Sequence, residues 1–191
     1  AYILQEMDDK AIDAKLLTLL KKGSPKVKII VMSLLLENSP TEVTPFIVEF
    51  LKSSNSELKN TALKACTKLD AAVATPFLLK ALLSGNETDR QLAKSTMTQL
   101  ALDKKTIAMI CSSYEQQSNI QNKILLINLL AECSAKGAMK PIAHAAKSTD
   151  AALRQEALKA LKTTSSVQDT KQLMVLLAKA QKSSELRSIQ N

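Results

Sequence analysis

Five basic side chains recur at near-constant spacing along the 191 residues: Lys28, Lys59, Arg90, Arg154 and Arg187, with Gln121 at the same place in between. This ladder is the one chemically capable array that the sequence repeats. Facing solvent as a row, it would meet phosphates or an acidic peptide. Bonded locally near turns, it would tie neighbouring segments together. The second role is expected, because charge patterns are usually solvated or paired nearby. The net charge of +8 permits an acidic partner, yet 26 basic residues are offset by 18 acidic ones spread along the chain. No block of five or more like charges marks a tail.

The other reactive groups lack companions. His144 is the only histidine, and a zinc ligand or general base needs partners that the spacing does not supply. Cys66, Cys111 and Cys133 are odd in number and far apart, so they make no disulfide framework. Cys66 and Cys111 fall at apolar or interior registers, where cysteine acts as a small hydrophobe. Ser56-Glu-Leu-Lys59 matches Ser-x-x-Lys, but it opens a helix and no companion motif of that enzyme class follows. Gly23, Gly85 and Gly137 make no phosphate loop. No catalytic, metal-binding or cofactor-binding residue is therefore expected, and the chain is read as non-enzymatic.

The elements that position these groups are helices. Hydrophobic residues make up 46% of the chain, aromatics 3%, and Gly and Pro number 3 and 5, which favours helix over strand. In Asn55–Leu69 the apolar residues Leu58, Ala62, Ala65, Cys66 and Leu69 form one stripe on a 3.6-residue helix. The same phase recurs from Val27, Leu58, Asp89, Ile120, Leu153 and Leu186, at intervals of 31, 31, 31, 33 and 33 residues. Four residues on stand Val31, Ala62, Ala93, Ile124 and Ala157. Three residues back stand Ser24, Asn55, Asn86, Gln117, Asp150 and Ser183, all but Gln117 being helix N-cap types. Gly23 and Gly85 precede their caps as helix stops.

A second set of apolar positions lies ten and eleven residues upstream, from Leu16 and Leu17 through Ile47, Val48, Leu78, Leu79, Met109, Ile110, Ile142 and Ala143 to Val175 and Leu176. Each unit thus reads as a first helix, a short turn and a second helix. Pro45 and Pro76, both in Thr-Pro-Phe, are expected in the first turn of their helices. The repeats fall at about 9–38, 41–70, 72–102, 104–134, 136–164 and 167–191, the last incomplete, with 1–8 as the end of a preceding helix.

The run Thr75-Pro76-Phe77-Leu78-Leu79-Lys80-Ala81-Leu82-Leu83, followed by a capped helix with its Val/Leu-Lys/Arg pair and Ala four on, resembles HEAT repeats of the short PBS-lyase-like type. The resemblance runs over nearly the whole chain. It implies an all-α fold, a right-handed α-α superhelix or solenoid of about six hairpins, as a single domain over 1–191. It also implies that second helices line the concave side. Asp89 departs from the pattern at an apolar anchor, Gln121 at a basic position and Asn128 on the core stripe. Neither end reads as a polar capping repeat, so the chain is expected to be a fragment of a longer protein.

Function follows from what a repeat stack without a catalytic constellation can do. The expected role is a protein-interaction scaffold that binds a protein or peptide along its second helices. The off-stripe residues Ile29, Leu126 and Leu130, with Lys64, are the candidate partner-binding positions. One alternative is an accessory module of a larger bacterial enzyme, secreted ones included. Another is a nucleic-acid-binding solenoid, which the charge favours and the shortage of aromatics for base stacking disfavours. No run of residues approaches a membrane span. The chain is expected to be soluble, in the cytoplasm or a bacterial periplasm, with no cofactor; its oligomeric state is not set by the sequence.

Overall fold

The computed structural model describes residues 9–38, 40–100 and 102–166, together with 169, 171, 174 and 175. Ten α-helices and one 3-10 turn make up these residues, with no strand among them. They are α1 (Asp9–Lys22), α2 (Pro25–Asn38), α3 (Pro40–Phe50), α4 (Ser56–Ala65), α5 (Ala71–Ser84), α6 (Glu87–Gln99), α7 (Lys104–Gln116), α8 (Ile120–Glu132), α9 (Met139–Ala145) and α10 (Ala151–Thr164). The chain divides into two compact units, Ala1–Thr96 and Met97–Asn191. Each has the consecutive helix packing of a HEAT-type solenoid. In the first, α2 packs on α1, α3 and α4; in the second, α8 and α9 pack on α10, and α7 packs on α8 and α9.

Side-chain caps start the second helices and set their phase. The Asn55, Asn86 and Asp150 side chains accept from the backbone N–H of Leu58, Asp89 and Leu153 at 2.9, 2.9 and 2.8 Å. Ser24 makes a longer contact with Val27, at 3.5 Å. In α8 the expected cap is displaced. Asn119, not Gln117, accepts from Asn122 at 3.1 Å, and Gln117 instead closes α7, its N–H bonding to the Tyr114 carbonyl. The cap of α8 lies 33 residues past that of α6 instead of 31, so the phase anchor is Asn122 rather than Ile120. Counted from the caps at 24, 55, 86, 119 and 150, the intervals become 31, 31, 33 and 31 residues.

This shift decides the core. Seven residues past the caps lie Val31, Ala62, Ala93, Leu126 and Ala157, all buried. Eleven past them lie Leu35, Cys66, Met97, Leu130 and Leu161, also buried. The first helices add Val43, Ile47, Leu78, Ile110 and Ile142. Asp70 and Asp103 cap α5 and α7, the first accepting from Ala72 and Val73 and the second from Thr106. That last bond holds the Asp103 carboxyl below the usual range. Because α5 starts at Ala71 and α3 at Pro40, Pro76 and Pro45 stand inside their helices rather than in the first turn. Pro76 leaves the Ala72 carbonyl without its usual N–H donor. Of the sixth repeat only Asp169, Lys171, Met174 and Val175 have described side chains, and Met174 and Val175 are exposed.

Contacts between hairpins are specific. In the first unit Lys59 Nζ bonds Asp89 Oδ2 at 2.5 Å, and Thr96 Oγ1 donates to the Leu63 carbonyl at 3.3 Å. In the second, Thr163 Oγ1 donates to the Ala131 carbonyl at 3.0 Å and Lys136 Nζ to Ser165 O at 3.1 Å. Gly85 is extended rather than left-handed. A Cβ there would overlap the Ala81 carbonyl oxygen and the Asp89 Cβ, so close approach requires the glycine. Among the described residues the non-glycine in the left-handed region is Ser134, with φ 48° after α8. The N–H of Ala135 bonds Leu130 O and that of Ser134 bonds Ala131 O, each at 3.0 Å. This is the double bond pattern of a Schellman stop, a place that glycine fills without steric cost.

Three outcomes are expected. Ala62→Leu and Ala93→Leu will each overpack a fully buried position and destabilise by about 1–3 kcal/mol in denaturant titration; an unchanged midpoint in both would rule out the register. Ser134→Gly will stabilise by about 0.5–1 kcal/mol, by relieving the left-handed strain. Lys59→Ala will cost about 1–3 kcal/mol because the Asp89 carboxylate stays buried without its cation, the range reduced because Lys59 is partly solvated. Lys59→Met with Asp89→Leu should recover most of that loss.

Candidate functional site

The basic ladder stands four residues past each cap, in the first turns of the second helices. By that count its member in α8 is Lys123, two residues beyond Gln121. Its cations are engaged close to home. Lys28 Nζ lies 5.1 Å from the centroid of the Phe50 ring, and Lys123 Nζ lies 5.4 Å from that of Tyr114. Lys59 holds Asp89. Arg154 Nη1 donates to Ser148 O at 2.7 Å and reaches Thr149 O at 3.4 Å. Arg90 is half-buried, and its buried Nε has no protein partner. Arg187 lies outside the described residues. Lys28, Lys59, Lys123 and Arg154 therefore make local contacts to rings, a carboxylate and turn carbonyls, rather than a row of free charges.

The apolar partner-binding candidates fare differently. Leu126 and Leu130 are 0% exposed and belong to the core, because the cap at Asn119 places them seven and eleven residues on, on the buried stripe. Neither is a surface residue. Ile29 is half-buried and Lys64 is exposed on α4. The sequence analysis missed Ile30 and Leu34, exposed at 61% and 43% and one turn apart on α2, with Leu19 of α1 also exposed. Counting from the caps identifies the anomaly. Leu34 is ten residues past Ser24, and the same position in the other second helices holds Ala65, Thr96, Leu129 and Ala160, all buried. Thr96 shows what that position meets, since its hydroxyl bonds the helix of the preceding hairpin. The α2 face thus has the form of a stacking surface left open.

A second concave feature lies between α7 and α9. A groove of about 480 Å³ has Ile107, Ala108 and Pro141 on its floor and Lys104, Lys136 and Lys140 along it. It adjoins, through Glu115, Lys140 and Pro141, a cavity of about 190 Å³ that Tyr114, Lys123 and His144 also line. Cys111 lies in the groove, its thiol pushed up by burial and by Glu115. Burial alone pushes Cys66 up to about 12, and burial with Glu132 pushes Cys133 up to about 11, which keeps both as unreactive thiols at neutral pH. Among the described residues no group of three His, Cys, Asp or Glu side chains could hold a metal ion, and no helix is long and apolar enough to cross a membrane.

No curated protein matches the chain. The family description HEAT repeats matches residues 14–97, the stretch that carries α2, α3, α4 and α5 entire, most of α1 and nearly all of α6. The capped second helices and the buried Val31, Ala62 and Ala93 seven past their caps agree with this match: residues 14–97 have the pattern of HEAT repeats.

Proposed function

We propose that the protein is a non-catalytic interaction scaffold that binds another protein through the exposed apolar face of α2. The reading takes residues 1–191 as one HEAT-like solenoid with the repeat spacing given above. One observation carries it: Leu34 is exposed at a register where four other second helices are buried, and Ile30, one turn before it, is exposed as well where its counterparts are half-buried. A surface whose counterparts receive a helix fits a helix, here the apolar stripe of an amphipathic segment on the partner. HEAT repeats commonly serve such a role, which supports the scaffold reading over an enzymatic one. A nucleic-acid groove is disfavoured by the ladder itself, whose described lysines and Arg154 already have local contacts.

The test compares the wild-type chain with the Ile30→Asp/Leu34→Asp double variant as baits in lysate of the source cells, washed at low and at high salt. Both positions are exposed, so the melting midpoint should move by no more than about 0.5 kcal/mol per site. The expected result is a protein retained at high salt by the wild type and lost by the variant. Equal retention by both baits would remove α2 as the docking face. Recovery of nucleic acid alone, at low salt only, would overturn the scaffold reading in favour of phosphate binding.

A further inference from the structure

The α7–α9 groove has a charge pattern and a buried donor that the packing of the unit does not use. Lys104, Ile107, Ala108, Cys111 and Glu115 are spaced to line one face of α7. Lys140, Pro141 and His144 face them from α9. Four lysines border the groove and its inner cavity against the single carboxylate of Glu115. None of them forms an ion pair within 4.0 Å among the described residues. Lys136 is tethered to Ser165 O and Lys123 rests against the Tyr114 ring. Lys104 and Lys140 have no such contact.

Tyr114 supplies the independent observation. It lines the inner cavity, is 2% exposed, and its hydroxyl has no hydrogen-bond partner among the described residues. A buried hydroxyl without a partner is costly, and natural structures rarely keep one that serves nothing. Phenylalanine would fill the same space without that cost. Burial raises the Tyr114 phenol, so it remains a proton donor at neutral pH. Tyr114, Lys123 and Lys140 line the same cavity, so an unsatisfied O–H donor and two ammonium groups are close together there, a set that suits an anion. From Lys104 to Glu115 the groove follows about 16 Å of helix at 1.5 Å per residue. That length takes about five residues of extended chain. Its floor is apolar and presents no exposed aromatic face, so it suits aliphatic side chains better than bases.

We infer that the α7–α9 groove binds an extended acidic segment of a partner protein, one carboxylate of which enters the inner cavity and accepts a hydrogen bond from Tyr114 Oη between Lys123 and Lys140. Aliphatic residues of the segment cover Ile107, Ala108 and Pro141, and Lys104 meets a second acid further along. Lys123 leaves the Tyr114 ring to admit the carboxylate, a movement within reach of a flexible lysine stem. The inference shares with the scaffold reading only the protein nature of the ligand. It does not involve the α2 face, so either surface can fail while the other stands.

Fluorescence anisotropy on the full 191-residue chain tests it, with a labelled nine-residue peptide of alternating glutamate and leucine as the probe and a lysine–leucine peptide as the control. The glutamate peptide should bind and the lysine peptide should not. Lys140→Glu should weaken binding by about tenfold or more, the loss of one charge-assisted contact and the gain of a repulsive one. Tyr114→Phe should weaken it about fivefold, the worth of one hydrogen bond, while the melting midpoint holds or rises. That opposition of sign is not expected of a merely structural tyrosine. Lys68→Glu, exposed and outside the groove, should leave binding unchanged. Absence of binding, or equal binding by wild type, Lys140→Glu and Tyr114→Phe, would overturn the proposal. So would displacement of the peptide by inorganic polyphosphate at equal charge, which would identify a general anion surface.

Discussion

A side-chain oxygen at the start of each second helix sets the phase on which the rest of the structure depends. In α4, α6, α8 and α10 an Asn or Asp accepts from the N–H three residues on, and Ser24 takes the same place before α2. Once that bond is made, helical geometry dictates which side chains meet the neighbouring helices. The positions seven and eleven residues on are buried in all five helices, whatever their chemistry: Val, Ala or Leu at one, and Leu, Cys or Met at the other. Small residues recur at the first because a neighbouring helix lies close there. A large side chain at that place would have to displace a helix rather than find a gap.

The same phase governs the polar contacts. Four residues past the cap a basic side chain leaves the first turn. What it finds differs from hairpin to hairpin: a Phe ring, the Asp89 carboxylate, a Tyr ring, or the carbonyls of a turn. Asp89 explains its own departure from the apolar pattern. It sits at a buried anchor position because the lysine of the preceding repeat reaches it, and the pair substitutes for an apolar contact. Such a pair fixes the relative placement of two hairpins more sharply than apolar packing, whose contacts are less directional. The ladder is thus one register used in several ways, and only at Lys123 does it border a cavity with an unused donor.

Much of the architecture was legible from the sequence, and the errors in the fourth repeat have a single source. Ala62, Ala93 and Ala157 were assigned to the core from periodicity, and they are buried. The fourth repeat failed because periodicity was counted from an apolar residue, Ile120, instead of from the cap. Gln117 stood at the expected cap place without being a cap type, and Asn119, two residues on, makes the capping bond. That displacement moved Leu126 and Leu130 from the supposed surface into the core and replaced Gln121 by Lys123 in the ladder. Asn is the better cap of the two, since its short side chain holds the oxygen near the backbone N–H, so the sequence did contain the signal.

The sequence by itself determined the elements: which stretches are helical, where most second helices start, and that the helices come in pairs with one apolar stripe each. These are local properties, set by side-chain capping and by a 3.6-residue period. Tertiary structure alone decided which apolar residues stay exposed and which polar groups go unmatched. Ile30 and Leu34 are chemically ordinary for a buried helix, and they are exposed because no described helix covers that face of α2. Tyr114 reads as one more core aromatic until α7, α8 and α9 come together around it and leave its hydroxyl without a partner. Burial and hydrogen-bond satisfaction depend on neighbours distant in sequence, and no local pattern encodes which neighbour is absent.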